Sequence, residues 1–146
     1  MDDIDRHLLT LLQANARESA AVLARKLRLA RTTVVARIAR LEREGTIAGY
    51  GVRLGARIEQ AAVRAYCGLR VEPRKSFSVI DALERLPEVE EVAAVSGEYD
   101  FMVLLRCDSN QQLDGLLDRI LQFDGILQTY TSVILSLKID RRSAVG

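Results

Sequence analysis

The spacing of the apolar residues changes partway along this chain, and no single type of secondary structure satisfies both spacings. Up to Leu41 the apolar side chains recur every three or four residues, the period of a helix; from Ala65 onward they alternate, the period of a strand. The first helical stripe is Ile4, Leu8, Leu11 and Leu12, with Asp2 or Asp3 as its cap. The second starts at Ser19 and carries Val22, Leu23, Ala24 and Leu27. The third runs from Thr32 to Glu44 with Val34, Ile38 and Leu41 inward, and Gly45 stops it. None of these stripes can be buried by its own helix, so the three must pack as one small tri-helical unit.

In the second half, Ala65, Cys67, Leu69 and Val71 alternate with Arg64, Tyr66, Gly68 and Arg70, a strand stopped by Pro73. A helix is expected from Phe77 to Leu86 and strands over Val89–Ser96 and Phe101–Cys107. A second helix is capped by Asp108 and Ser109, with Gln112 completing a capping box, and a last strand covers Gln128–Ile139. This order is the split βαβ, ferredoxin-like arrangement, with two helices on one face of a four-stranded antiparallel sheet. The expected fold class is α+β.

Several classes of function are excluded early. No apolar run approaches the roughly 20 residues that span a bilayer, and Asp2-Asp3-Ile4-Asp5 stands where a signal peptide needs positive charge, so a cytoplasmic protein is expected. Cys67 and Cys107 are far apart and His7 is the single histidine, which argues against zinc or a disulfide framework. With no phosphate loop or catalytic triad pattern, neither cofactor nor metal is expected, and the chain reads as a non-enzyme.

The charge is divided between the halves. The total is 21 Lys+Arg against 20 Asp+Glu, but residues 1–57 hold 11 basic and 6 acidic side chains (+5), and residues 58–146 hold 10 and 14 (−4). Between Arg25 and Arg57 there are 9 basic residues and only Glu42 and Glu44 as acids, an excess that suits an anionic partner. The third helix presents Thr33, Arg37, Arg40 and Glu44 along one side with Thr32, Ala36 and Arg43 beside them, and Arg31 stands at its entry. Arginine forks clamp phosphates or the O6/N7 edge of guanine, and threonine suits phosphate oxygens and thymine methyls. Two short helices, the second carrying these groups, form a helix-turn-helix pattern sized for the major groove. The stretch Thr46–Leu54 alternates and is broken by glycines, which reads as a short strand or wing leading into a linker to Ala62.

The helix-free sheet face should present Tyr66, Met102, Leu104, Tyr130 and Ile134 among Arg64, Arg70, Ser132 and Lys138, too apolar a surface to leave in water. A second copy of the same face is the expected cover, giving a two-fold homodimer that sets two reading helices on successive major grooves, as an imperfect inverted-repeat operator in double-stranded DNA requires.

At this point the sequence resembles the Lrp/AsnC family, the leucine-responsive or feast/famine transcription regulators. The resemblance covers nearly the whole chain. It rests on Asp2-x-x-Asp5-Arg6-x-Leu8-Leu9, on Leu23-Ala24-Arg25-Lys26-Leu27, and on Arg37-Ile38-Ala39-Arg40-Leu41-Glu42-Arg43-Glu44-Gly45-x-Ile47-x-Gly49-Tyr50. In the second half it rests on Ser96-Gly97-Glu98-Tyr99-Asp100 and on Gly125-Ile126 followed by Thr129-x-Thr131. It implies a winged helix-turn-helix over 1–50, a linker over 51–62, and over 63–146 a ligand-binding (RAM) domain. That domain takes an amino acid or related small metabolite and forms dimers that assemble further, commonly into octamers. The resemblance also implies effector pockets between dimers, built partly by the turn Gly97-Glu98-Tyr99-Asp100 and by the last strand near Thr131. Asp100 could receive an ammonium, while turn amides and the Thr131 hydroxyl could receive a carboxylate. The plainer alternative is a tight hairpin turn in which Gly97 serves backbone geometry and Asp100 bonds locally.

Two departures from the family pattern matter. Where relatives have Gly between the second and third helices and a Ser-Pro pair at the entry to the third, this chain has Arg28, Ala30 and Arg31. Ala30 cannot cap, so Thr32 or Thr33 is expected to do so, and Arg28 and Arg31 should add phosphate contacts. The expected DNA-contacting residues are therefore Arg28, Arg31, Thr32, Thr33, Arg37 and Arg40. Two other readings compete with an effector-responsive regulator: an enzyme on the same pair of domains, such as a sirohaem decarboxylase, and an architectural DNA-binding protein without effector.

Overall fold

Asp2 starts the first helix in the computed structural model, which describes residues 1–141. Its carboxylate accepts the Asp5 N–H at 2.8 Å, and the Asp5 carboxylate returns to the Asp2 N–H at 3.3 Å, a reciprocal cap for α1 (Asp3–Ala14). Ser19 caps α2 (Ala20–Leu27) through the Val22 N–H. α2 ends on Arg28 in the left-handed conformation (φ 56°), where a non-glycine residue carries backbone strain. α3 (Arg31–Arg43) begins one residue earlier than expected. Ala30 is its N-cap without a side-chain bond, so neither Thr32 nor Thr33 caps it, because the chain enters the helix before either hydroxyl reaches the first turn. Leu8, Leu12, Leu23, Ala24, Val34 and Leu41 form the core of this unit.

The expected wing does not form. Thr46–Leu54 belongs to no strand, since all four paired strands among the described residues lie beyond Leu54 and leave it no partner. The linker instead winds into a short helix, α4 (Ala56–Ala61). The chain divides into two units, Met1–Arg53 with Asp140 and Arg141, and Leu54–Ile139. Residues 142–146 of the expected second domain lie outside the described residues.

The second unit is β1 (Val63–Val71), α5 (Ser76–Glu84), β2 (Val89–Ala94), β3 (Phe101–Cys107), α6 (Asn110–Leu121) and β4 (Ile126–Val133). The sheet is antiparallel with order β2-β3-β1-β4, the ferredoxin-like order, and α5 and α6 pack their apolar stripes on one face. Ala65, Cys67 and Leu69 point into that core with Val79, Leu83, Leu116 and Ile120. Both cysteines are buried and free. β4 stops at Val133 instead of reaching Ile139 because its partner runs out. Val133 pairs with Ala65, Ile134 N–H donates to Arg64 O, and β1 begins at Val63. Gln112 also differs from a standard capping box. Its N–H takes the Ser109 hydroxyl, but its side chain reaches one residue further back, to the Asp108 N–H at 2.7 Å.

Candidate nucleic-acid and ligand interfaces

Asp5 occupies the buried stripe of α1 with Leu8 and Leu12, and it is 1% exposed. A carboxylate at such a depth requires cations, and α3 supplies them: Arg37 Nη1 lies 2.9 Å from Asp5 Oδ1 and 2.9 Å from Asp2 Oδ2, and Arg40 Nη2 lies 2.5 Å from Asp5 Oδ2. For Asp2, the Asp5 N–H and then Arg37 hold the carboxyl below its ordinary value. For Asp5, burial pushes upward, but the Arg37 hydrogen bond, the Asp2 N–H and the Arg40 charge prevail, so its pKa is also lowered. Bonding to the Asp2 and Asp5 carboxylates in turn raises Arg37. Arg37 and Arg40, expected as reading arginines, are thus spent in part on fixing α3 against α1.

This anchoring determines which side of α3 faces out. Opposite the buried Val34 and Leu41 lies a row one helical turn apart, Thr32, Ala36, Ala39 and Arg43, all exposed. Thr33 sits at the flank, half-buried. At the N-terminal end of the row stand Arg28 and Arg31, and on α2 Arg25, all three exposed and without a carboxylate partner among the described residues. No acid lies in the first turn of α3; the Ala30 carbonyl accepts the Thr33 and Val34 N–H groups, but Ala30 has no side-chain acceptor, so the Arg31 and Thr32 amides are left for an anion. Of the residues sequence reasoning missed, Asp5 had a signal, an acid at the spacing of Leu8 and Leu12. Ala39 had none beyond its place on the helix.

In the second unit, the turn Gly97–Asp100 joins β2 to β3. Gly97 has φ 105° with open space where a side chain would be, so it is there for backbone geometry. The Asp100 carboxylate does not bond within the turn, as the plainer alternative has it, but reaches across to β1: the Asp100 N–H donates to Leu69 O at 2.8 Å and its Oδ2 accepts the Val71 N–H at 2.8 Å. Glu98 is exposed, and the Tyr99 ring stacks with Tyr130 at 6.0 Å between centroids. Desolvation, then the Glu98 charge, raises the Tyr99 phenol. Thr131 does not join this group. It pairs with Cys67, and its hydroxyl lies 3.5 Å from the Cys67 sulfur on the helix-covered face, whereas Tyr130, one residue before, is on the opposite face. Within one copy the turn and Thr131 therefore do not converge.

On the helix-free face Tyr66 and Tyr130 are exposed and Met102 and Ile134 half-buried; Leu104, expected there in the open, is 5% exposed. His7 is exposed on α1. Among the described residues no cluster of His, Cys, Asp or Glu could hold a metal ion, and no helix is long and apolar enough to cross a membrane.

Comparison with known proteins places these features in one family. Residues 1–42 match the AsnC-type helix-turn-helix domain and residues 64–144 the Lrp/AsnC ligand binding domain. An uncharacterised HTH-type transcriptional regulator of Pyrococcus abyssi is 32% identical over 94% of this chain and 88% of its own length. The structure of Escherichia coli AsnC superposes with a TM-score of 0.88 at 27% identity, covering 97% of this chain and 96% of that one. A Neisseria meningitidis regulator solved in complex with L-Met shares the fold at 21% identity, with a TM-score of 0.85 and coverage of 96% and 93%. The chain therefore belongs to the Lrp/AsnC family of transcriptional regulators, with an N-terminal helix-turn-helix and a C-terminal ligand-binding domain.

Proposed function

We propose that the protein binds double-stranded operator DNA in a sequence-specific manner as a two-fold dimer, with α3 in the major groove, and that its DNA affinity or assembly responds to an amino acid or related small metabolite. The observation that carries the DNA reading is the outward row of α3: Thr32, Ala36, Ala39 and Arg43, with Arg28 and Arg31 beside the open amides at the helix start. Arg28, Arg31 and the Thr32 hydroxyl hold phosphates, and the small side chains of the row admit the helix deep into the groove. Thr33 reaches phosphate from the flank. Arg37 and Arg40 serve chiefly by holding α3 in this orientation through Asp5.

The dimer reading rests on the helix-free sheet face, where exposed Tyr66 and Tyr130 adjoin half-buried Met102 and Ile134. Dimers then assemble further, with an octamer as the expected product. The effector reading rests on the matched ligand-binding domain and on the preformed turn Gly97–Asp100, with open space at Gly97 and an exposed Glu98. Because Thr131 faces away from that turn, a ligand meeting both must lie where copies adjoin.

Selection of duplexes from a random pool tests the DNA reading. An enriched inverted repeat is expected; binding without enrichment would instead support the architectural reading. A thermal-shift panel of the proteinogenic amino acids, begun with L-Met, tests the effector reading. A shift in melting or assembly for at least one is expected, and none across the panel refutes it.

A further inference from the structure

Gly68 lies in the middle of β1, on the face that carries Tyr66 and Arg70, yet it is buried where both of these neighbours are exposed. What covers it is the ring of Tyr99. A Cβ built on Gly68 would lie 2.9 Å from Tyr99 Cγ, 3.0 Å from Cδ2 and 3.1 Å from Cδ1, so the ring rests on the bare backbone. Three equal approaches mean that the ring is met near its root, where it is stiff. A flexible tail could swing away; this ring cannot without moving its own backbone. On either side of Gly68 across the sheet stand Met102 of β3 and Tyr130 of β4, and Tyr130 stacks on Tyr99 with an interplanar angle of 29°. The next residue, Asp100, is clamped to the end of β1 through Leu69 O and the Val71 N–H. The turn is therefore fixed at two points, by Asp100 on the edge of the ladder and by Tyr99 on the face of the sheet.

We propose that Gly68 is the positioning residue of the Gly97–Asp100 turn: its missing side chain seats Tyr99 on the sheet, and this ties the turn that meets the effector to the face that meets a second copy. The second half of this statement rests on the function proposed above. A ligand that shifts Glu98 or Gly97 moves the Tyr99 ring, and with it Tyr130 and the surface presented to the partner. The coupling needs no long pathway, because Tyr99 belongs to the turn and to the face at once.

The test uses the full chain in its native assembly and compares wild type with Gly68→Ala, Tyr99→Phe, Tyr99→Leu and the double variant Gly68→Ala/Tyr99→Leu. Hydrogen exchange followed by mass spectrometry reads the peptide spanning Gly97–Asp100, and sedimentation reads self-association. Gly68→Ala should speed exchange in the turn at least tenfold and weaken self-association. Tyr99→Phe, which keeps the ring, should match wild type. The double variant should recover much of the loss, since the shorter, flexible leucine can share the space with the new methyl; a role of Gly68 in strand geometry alone would show no such recovery. Unchanged exchange in Gly68→Ala, or a loss that the double variant does not relieve, overturns the proposal. Faster exchange with unchanged self-association overturns the tie to the partner face. The amino-acid panel is run on the same variants: if wild type responds to none, the effector reading fails, while the exchange results still decide the role of Gly68.

Discussion

The charge pairs on α1 make the salt dependence of DNA binding a quantitative test of how α3 is used. From the sequence, Arg25, Arg28, Arg31, Arg37, Arg40 and Arg43 are all available to phosphates. In the structure Arg37 and Arg40 are bonded to Asp2 and Asp5, which leaves Arg25, Arg28, Arg31 and Arg43 exposed and without a carboxylate partner among the described residues. Four arginines per copy in a two-fold dimer neutralise about eight phosphates, and the slope of log K against log salt should be about −7, a loss of about 10⁴-fold in affinity between 50 and 200 mM salt. Six per copy would give about −11. Fluorescence anisotropy on a labelled operator duplex across a salt series measures this directly. Arg31→Ala should flatten the slope by about 2, one phosphate lost in each copy. Arg37→Ala should leave it unchanged, whatever it does to affinity by loosening α3. A wild-type slope near −11 that Arg37→Ala flattens as much as Arg31→Ala does would show that DNA draws Arg37 away from Asp5, and the anchoring argument would be wrong. A slope shallower than about −2 would refute phosphate-dominated binding altogether.

Arg28→Gly should stabilise the protein by about 1 kcal/mol in urea titrations, by relieving the left-handed strain, while flattening the salt slope by about 2; a loss of stability would count against the strain. Gly125→Ala should cost about 2–4 kcal/mol in the same assay, because its φ is 100° and a Cβ there would meet Lys75 Cβ at 2.6 Å and Val79 Cγ2 at 3.2 Å; a neutral outcome would show that the Lys75 stem yields freely. Asp2 and Asp5 have folded pKa values below their ordinary 3.8, so the stability they add is complete above that value and is lost as the pH falls through the lowered values. Urea midpoints of wild type and Asp5→Asn should therefore converge below pH 3.8, and parallel curves would refute the role of the cluster.

The elements of the fold were legible because their periods and stop signals agree with the tertiary structure. Leu8, Leu23 and Val34 read as core from helical spacing, and Ala65, Cys67 and Leu69 from alternation, since burial on one face is what creates those patterns. The ends that misled were those set by a partner. β4 reads as a strand to Ile139 because Leu135, Leu137 and Ile139 keep alternating, but a strand lasts only as long as its neighbour, and β1 begins at Val63. Thr46–Leu54 has strand-like alternation for the same reason and no neighbour at all in the described residues. At the candidate site, local signals located α3 and the Gly97–Asp100 turn. Which side of each carries the function depends on long-range pairs, Asp5 with Arg37 across 32 positions and Gly68 under Tyr99, that no local pattern specifies.

Fixing α3 by Arg37 and Arg40 also constrains what the helix can read. If those two arginines faced the groove, guanine would be the natural partner of the reading surface. With them turned to Asp5, the centre of the outward row is Ala36 and Ala39, side chains that offer a methyl and no hydrogen bond. A methyl facing the major groove is complementary to the thymine methyl, so the centre of each half-site should favour T over C, while guanine preference should be confined to the ends of the row, near Arg31 and Arg43. Sequencing of the selected duplexes measures this position by position. Ala36→Gln should shift the central preference toward adenine, which the longer amide can meet at N6 and N7, at a discrimination of about 1–3 kcal/mol per base pair. Central guanines in the wild-type operator, abolished by Arg37→Ala, would show instead that Arg37 reads DNA and that its bond to Asp5 belongs to the free protein alone.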